Sequence, residues 1–444
     1  MVFTGLVHAI WHWWKFDYLP QPFFYGPIDV WGDWFNVVYW SYDFGTYDAY
    51  RTVYPPLSFV ITNIFSLRHC YPIYAVAGNP SVGIFARNCD WVGYFAFNGV
   101  YIICIILLAK TYFRDNPATS IARSYALAAS FPMLQAMEHA NLIVWTFLGF
   151  MLAFGNVVRS SRWRWFWAGF AFNLKIYVIA AILPQLLRRR WLWVEGALIS
   201  CVVIYIASYV YLGRGTPMEL YANITDFANG ATYSFLDIWF PSTNAALISL
   251  ANNWQSELSG LIGSQNNERI LFWLPLFQHV TQAAIILAAV GVWLRPEAVT
   301  RHRLTFLGIS LALITAEAGG YTVILIFFCV FFEPWKGFAR KYAIVMTYIL
   351  CLPWDIPIDR APEYIADTWF PANTVIMQFY IMIGPFIRPT LLLTIVLALS
   401  LLTISEVWTD IRAQGWRTRF RFRHDLPLLN GVGAIVAPKT VGRQ

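Results

Sequence analysis

Charge is scarce in this 444-residue chain: only 12% of its residues are Asp, Glu, Lys or Arg, about half the roughly 25% of a soluble globular domain. That scarcity excludes an ordinary cytosolic enzyme. Familiar signatures are missing too. There is no Gly-rich phosphate loop, no Asp-x-Asp pair and no His-Glu-x-x-His helix, so nothing points to a bound nucleotide or a helix-borne zinc. Asp29 and Asp33 would share a face if helical, yet no His stands beside them, and neither a metal nor a cofactor is expected. Cysteine is sparse, and Cys104, Cys201, Cys329 and Cys351 fall in apolar stretches where they read as core filler. The first residues lack a basic n-region and a small-residue cleavage site, so no cleaved signal peptide is expected.

What the chain has in excess is apolar surface. Hydrophobic residues make up 58% of it, and apolar runs of about 20 residues recur from Trp91 to Trp408, the length that crosses a roughly 30 Å hydrocarbon core. This is an all-α polytopic membrane protein. Its net charge of +7 reads as cytoplasmic loops rather than nucleic-acid binding. Aromatic residues reach 18%, with 22 Trp, more than interfacial belts need, which leaves rings for stacking on a ligand.

Most of the 31 cationic residues fall in clusters between apolar runs: Lys110, Arg114 and Arg123; Arg159, Arg162 and Arg164; Arg188 to Arg190; Arg295, Arg301 and Arg303; Lys336, Arg340 and Lys341; and a tail from Arg412. Placing every cluster in the cytoplasm predicts a crossing at 91–109, hairpins at 124–158, 165–187 and 304–335 with tips near Glu138 to Asn141, Lys175, and Glu317 to Tyr321, crossings at 191–212 and 271–294, and a final pair at 342–353 and 385–408. With a first helix at the N-terminus this makes about twelve membrane helices, both ends cytoplasmic. That first helix is either unusually short or belongs to a chain that starts upstream. The 165–187 hairpin is too short for two full spans, and a non-helical tip at membrane depth is tolerated only where it lines a polar cavity. Residues 1–408 form one membrane-embedded domain with outer segments at 17–90, 213–270 and 354–384, and 409–444 is a cytoplasmic basic tail whose Arg417 to Arg423 stretch suits anionic membrane lipids.

The first outer segment gathers Asp17, Asp29, Asp33, Asp43, Asp48 and Asp90. A carboxylate there beside Trp31 and Trp34 can serve as general base on a sugar hydroxyl, the rings stacking on the pyranose. Asp33, between Gly32 and Trp34, is the candidate; Asp43, Asp48 and Asp90 read as solvated loop residues. Tyr54-Pro-Pro-Leu opens an apolar stretch too short to cross, read as a helix on the outer surface. Cys70 and Cys89 lie outside apolar helices in the same segment and are expected to pair in an oxidising compartment. Asn223-Ile-Thr225 fits a glycosylation acceptor of a eukaryotic secretory membrane.

The order Gly32-Asp33-Trp34, Tyr54-Pro-Pro-Leu57, Glu138-His-Ala-Asn141, Asn173-Leu-Lys175-Ile-Tyr177 and Arg188-Arg-Arg-Trp191 resembles the GT-C membrane glycosyltransferases, in particular the polyprenyl-phosphate-mannose-dependent family 87. The resemblance implies that Asp33 is the base, that the Tyr54 segment opens a juxtamembrane helix, and that Lys175 lies near the donor phosphate. Where relatives often carry Gly-Gln before the Asn, this chain has Glu138-His139. Where they often carry Ser and His-Tyr, it has Glu317-Ala-Gly-Gly-Tyr321, which removes one candidate phosphate ligand. Arg51 and Arg388 are candidates to assist the phosphate, with Asn141, Glu138 and Tyr321 around the donor and Trp34, Trp31 and Tyr54 against the acceptor sugar. The partners so implied are a polyprenyl-phosphate sugar donor, a lipid- or glycan-type acceptor and membrane lipids, in a bacterial inner membrane with the site facing outward. The rivals are a transporter, which predicts internal repeats and charges midway along full helices, and a polysaccharide polymerase or ligase, in which Asp33 is dispensable.

Overall fold

The computed structural model describes residues 2–21, 23, 30–43, 45–71, 82–230, 241–252, 260, 263–360, 363–367, 374–378 and 380–415; Asp29 and the basic stretch after Gln414 lie outside them. Helix α1 (Val2–Phe16) precedes the first outer segment, which holds α2 (Gly32–Tyr42) and α3 (Pro56–Ile64). Pro55 and Pro56 start α3 because proline fixes the φ of a first turn and needs no N–H partner there. Asp90 is wholly buried: its carboxylate caps α4 (Trp91–Asp115) through Gly93 N at 3.2 Å and also accepts from Tyr71 Oη at 2.6 Å and Leu67 N at 3.1 Å. Between these lies the Cys70–Cys89 disulfide, Cα atoms 5.6 Å apart.

The hairpins follow. α5 (Pro117–Ala128) and α6 (Phe131–Glu138) lead to a tip and return through α7 (Ile143–Phe154). α8 (Ser161–Phe172) returns through a 3-10 turn, the single turn α9 (Ile179–Ile182) and another 3-10 segment to Arg188. α10 (Trp191–Leu212), α11 (Pro217–Gly230), α12 (Ala245–Asn252) and α13 (Ser264–Leu294) come next. The third hairpin is α14 (Arg301–Thr315) and α15 (Ile324–Val330), and α16 (Phe338–Leu350) and α17 (Gly384–Gln414) end the described chain. Gly308 lets α14 approach the second hairpin, since a Cβ there would stand 1.9 Å from the carbonyl oxygen of Ala180.

One sequence expectation, the number of spans, is not met. Among the described residues only α4, α10, α13 and α17 are long and apolar enough to cross a membrane, not twelve helices. The arms of the hairpins are too short: twelve residues rise about 18 Å, against a core of roughly 30 Å. The chain is mainly helical, as expected, with a few short strands besides. Within 354–384, β1 (Pro357–Arg360) pairs antiparallel with β4 (Tyr380–Met382), and β2 (Tyr364–Asp367) with β3 (Thr374–Met377), as two separate two-stranded sheets. Gln21 holds β4 with two 2.8 Å bonds, one to and one from the backbone of Tyr380.

The basic clusters converge. Arg114 donates to the carbonyls of Asn156 and Val157 at 2.9 Å, Arg301 to Asn156 Oδ1 at 2.9 Å, and Arg164 to Val158 O at 2.7 Å and to Gly155 O. Nearby charges are paired in the interior. Arg303 grips Glu333, Arg340 reaches Glu333 at 3.1 Å and also pairs with Glu406, tying α14, α16 and α17 together.

Candidate active site

The hairpin tips meet the first outer segment at the end opposite the arginines. Ser130 caps α6 through Met133 N at 3.2 Å, and α6 ends at Glu138, beyond which Ala140 turns into the left-handed region at φ 49°. Trp31, at φ 66°, makes a second left-handed turn and starts α2. The two turns are stitched together: Trp31 N donates to Glu138 O at 2.8 Å and Asp33 N to His139 O at 3.2 Å. The tip's carbonyls thus satisfy N–H groups at the start of α2 that have no partner within a helix. Left-handed non-glycine residues cost of order 1–3 kcal/mol and gather at functional sites; here two of them set one contact.

That contact positions Asp33. Asn141 uses Oδ1 to cap α7 through Ile143 N at 2.9 Å, which leaves its amide nitrogen to donate to Asp33 Oδ2 at 2.6 Å. The same nitrogen lies 3.5 Å from Tyr54 Oη. Asp33 sits in the first turn of α2, where the helix dipole favours a negative charge. Lys175, between α8 and the next 3-10 turn, places Nζ 4.5 Å from the centre of the Tyr54 ring and 5.8 Å from that of Tyr321. It interacts electrostatically with Asp33 but makes no hydrogen bond or ion pair among the described residues; the alternative pairing with Glu138 is absent. Glu138 instead sits 3.3 Å from His139 Nε2. Its side chain lines an apolar cavity of about 500 Å³ with Trp31, Leu6, Trp13 and Met137.

Tyr321 is brought in by the third tip. Gly319 has φ 80°, and a Cβ there would come within 2.7 Å of the Tyr321 ring, so glycine is required twice over. Glu317 is spent on structure: its oxygens accept from the backbone and hydroxyls of Ser242 and Thr243 at 2.7 to 2.9 Å and from Gly319 N at 2.9 Å. Asp33, Tyr54, Asn141, Lys175 and Tyr321 therefore form one cluster, a carboxylate and an ammonium with aromatic hydroxyls between them.

Other candidates stand elsewhere. The ring of Trp34 is 0% exposed, enclosed by Phe97 and Trp145, so it presents no face to a sugar; Trp31, partly exposed and packed on Tyr94 and Phe97, keeps an edge on the cavity. Arg388 is a buried clasp outside this cluster: it pairs with Asp355 at 2.9 Å and lies over the Phe131 ring. Arg51 is exposed, 3.8 Å from Asp226. Asp43 accepts from Gly45 N and Tyr50 Oη, and Asp48 is exposed. Asn223 is no glycan acceptor, because its buried amide donates to the carbonyls of Tyr47 and Thr52 at 2.9 and 3.1 Å. One residue went unnoticed as a participant. Tyr177 lies in electrostatic range of Tyr54 and Tyr321, and its buried hydroxyl has no partner among the described residues; its position two residues after Lys175 was the available signal.

No curated protein sequence and no solved structure matches the chain. Residues 52–316, more than half of it, match the sequence profile of glycosyltransferase family 87. The matched stretch contains Tyr54, Glu138, Asn141 and Lys175; Asp33 precedes it and Tyr321 follows it. With this match over the segment that carries two of the three tips, the chain belongs to glycosyltransferase family 87 and is an integral membrane glycosyltransferase.

Proposed function

We propose that the enzyme transfers one sugar, mannose, from a polyprenyl monophosphate to a hydroxyl of a lipid- or glycan-linked acceptor, with inversion, on the non-cytoplasmic face of a bacterial inner membrane. Asp33 takes the hydroxyl proton while that oxygen attacks the anomeric carbon from the face opposite the phosphate. The bond from the anomeric carbon to the phosphate oxygen breaks, and the polyprenyl phosphate leaves with the electron pair, its growing charge met by Lys175. Tyr54 and Tyr321 hold the ammonium against their rings until the phosphate arrives to pair with it.

The observation that carries this reading is the cluster itself: a carboxylate fixed by Asn141 at 2.6 Å, facing an ammonium with no carboxylate bound to it. A lipid-linked donor keeps its tail in the bilayer, so its phosphate needs a cation reachable from the membrane, and a lysine supplies a point charge of that kind. The orientation rests on the converging basic clusters, which the positive-inside rule puts in the cytoplasm. The test is a transfer assay in membranes with a panel of polyprenyl-phosphate sugars and an Asp33→Asn variant. Transfer from the mannosyl donor that the variant loses supports the assignment; turnover of the variant near the wild-type rate removes Asp33 as base, and preference for another sugar replaces mannose.

A further inference from the structure

At the other end of the same hairpins lies a second cavity, of about 320 Å³, lined by Arg159, Arg164, Arg190 and Arg301 together with Asn156 and Ser161. No carboxylate lines it among the described residues. Arg301 has Arg164, Arg188 and Arg190 in electrostatic range, all repelling it, and its buried Nε has no hydrogen-bond partner among the described residues. Arg164, 8% exposed, is anchored by the Val158 and Gly155 carbonyls rather than by an acid. Glu297 lies in electrostatic range of Arg188 and is not among the residues lining the cavity. Buried Arg303 and its neighbour Arg340 are met by the carboxylates of Glu333 and Glu406, whereas the lining of this cavity, among the described residues, is cationic and polar without an acid.

Backbone adds to the field. α8 and α10 both begin at this cavity, and neither has a side-chain hydrogen bond at its N-cap. Their first N–H groups and the positive ends of their dipoles favour an anion there. Planar guanidinium forks from several directions match the tetrahedral oxygens of a phosphate better than a single carboxylate. Exposed Trp163 and Phe166 on α8 mark the rim as facing the membrane interface.

We propose that this cavity is a binding site for a phosphate group, separate from the glycosyl-transfer centre, filled by the headgroup of an anionic phospholipid or by a soluble phosphate compound. The two sites cap the same α8, about 18 Å apart by its length, so an anion here steadies the arm that carries Lys175.

The full chain purified in neutral detergent provides the test. Its melting temperature is followed while phosphatidylglycerol, phosphatidylcholine or inorganic pyrophosphate is titrated in. Stabilisation by phosphatidylglycerol but not phosphatidylcholine identifies a lipid headgroup; stabilisation by pyrophosphate identifies a soluble phosphate. Arg159→Gln, at an exposed side chain that makes no hydrogen bond or ion pair among the described residues and so is safe for folding, and Arg301→Gln are each expected to weaken binding of the effective probe by about tenfold or more, the scale of one hydrogen bond to a charged group. Absence of a response to both probes, or the same response in wild type and both variants, overturns the proposal.

Discussion

Asn141 offers the sharpest handle on the reaction centre, because its two amide atoms do separate jobs. Nδ2 donates to Asp33 and Oδ1 caps α7. Asn141→Ala removes both. A hydrogen bond to a charged group contributes about 1.5–3 kcal/mol, and each 1.36 kcal/mol is tenfold in rate, so losing it should slow transfer about 10- to 150-fold. The lost cap appears separately, as roughly 1 kcal/mol of stability. Asn141→Asp keeps an oxygen for Ile143 but sets one carboxylate against another, and two at that distance cannot both ionise freely. It should melt closer to wild type than the Ala variant yet transfer sugar no faster. The decisive assay is single-turnover transfer in nanodiscs for Asp33→Asn, Asn141→Ala and the double variant. Loss of a general base typically costs 10²- to 10⁴-fold. If Asn141 acts through Asp33, adding Asn141→Ala to Asp33→Asn should cost less than about threefold more, leaving a coupling energy near the whole of the single effect. Losses that simply multiply would refute the idea that the amide serves the carboxylate.

Three further outcomes are expected. Lys175→Ala should weaken donor binding by about 10- to 150-fold, again the scale of one charged hydrogen bond; unchanged affinity in direct titration with the lipid donor would assign Lys175 to structure. Glu333→Gln leaves Arg303 and Arg340 without their shared carboxylate and should destabilise by about 3–5 kcal/mol, visible as a marked fall in melting temperature with little change in rate per folded molecule. Replacing Cys70 and Cys89 by Ser opens a loop of sequence separation 19 and should cost about 3 kcal/mol; peptide mass spectrometry without reductant should find the two linked in wild type.

The sequence revealed most where physics acts locally. Arginine clusters marked helix ends because charge is expelled from hydrocarbon, and α10 begins at Trp191 directly after the Arg188 to Arg190 run. Tips were legible because polar residues interrupt apolar runs, and three of them contribute Asn141, Lys175 and Tyr321 to one cluster. What escaped depends on distant partners. Which way Trp34 points is decided by Phe97 and Trp145, far along the chain. Arg388 looked free until Asp355 lay beside it. The short strands hid in a segment broken by proline and Asp, although Thr374-Val-Ile-Met377 is the β-branched kind of run that suits a strand. The 165–187 hairpin reads as short arms from its length alone, but in the longer 124–158 and 304–335 hairpins apolar length does not separate a crossing from an arm that turns back.

Those half-length arms have a chemical consequence. An arm of twelve residues rises only about 18 Å, so a tip carried on such an arm stops short of the far side of a roughly 30 Å hydrocarbon core. If the proposed lipid-linked donor is used, its phosphate would reach the tips sideways without leaving its leaflet, whereas an acceptor would have to send its hydroxyl down from above. Depth would then select acceptors by reach: a hydroxyl on a slender arm would arrive, and one held close to a broad, rigid body would not.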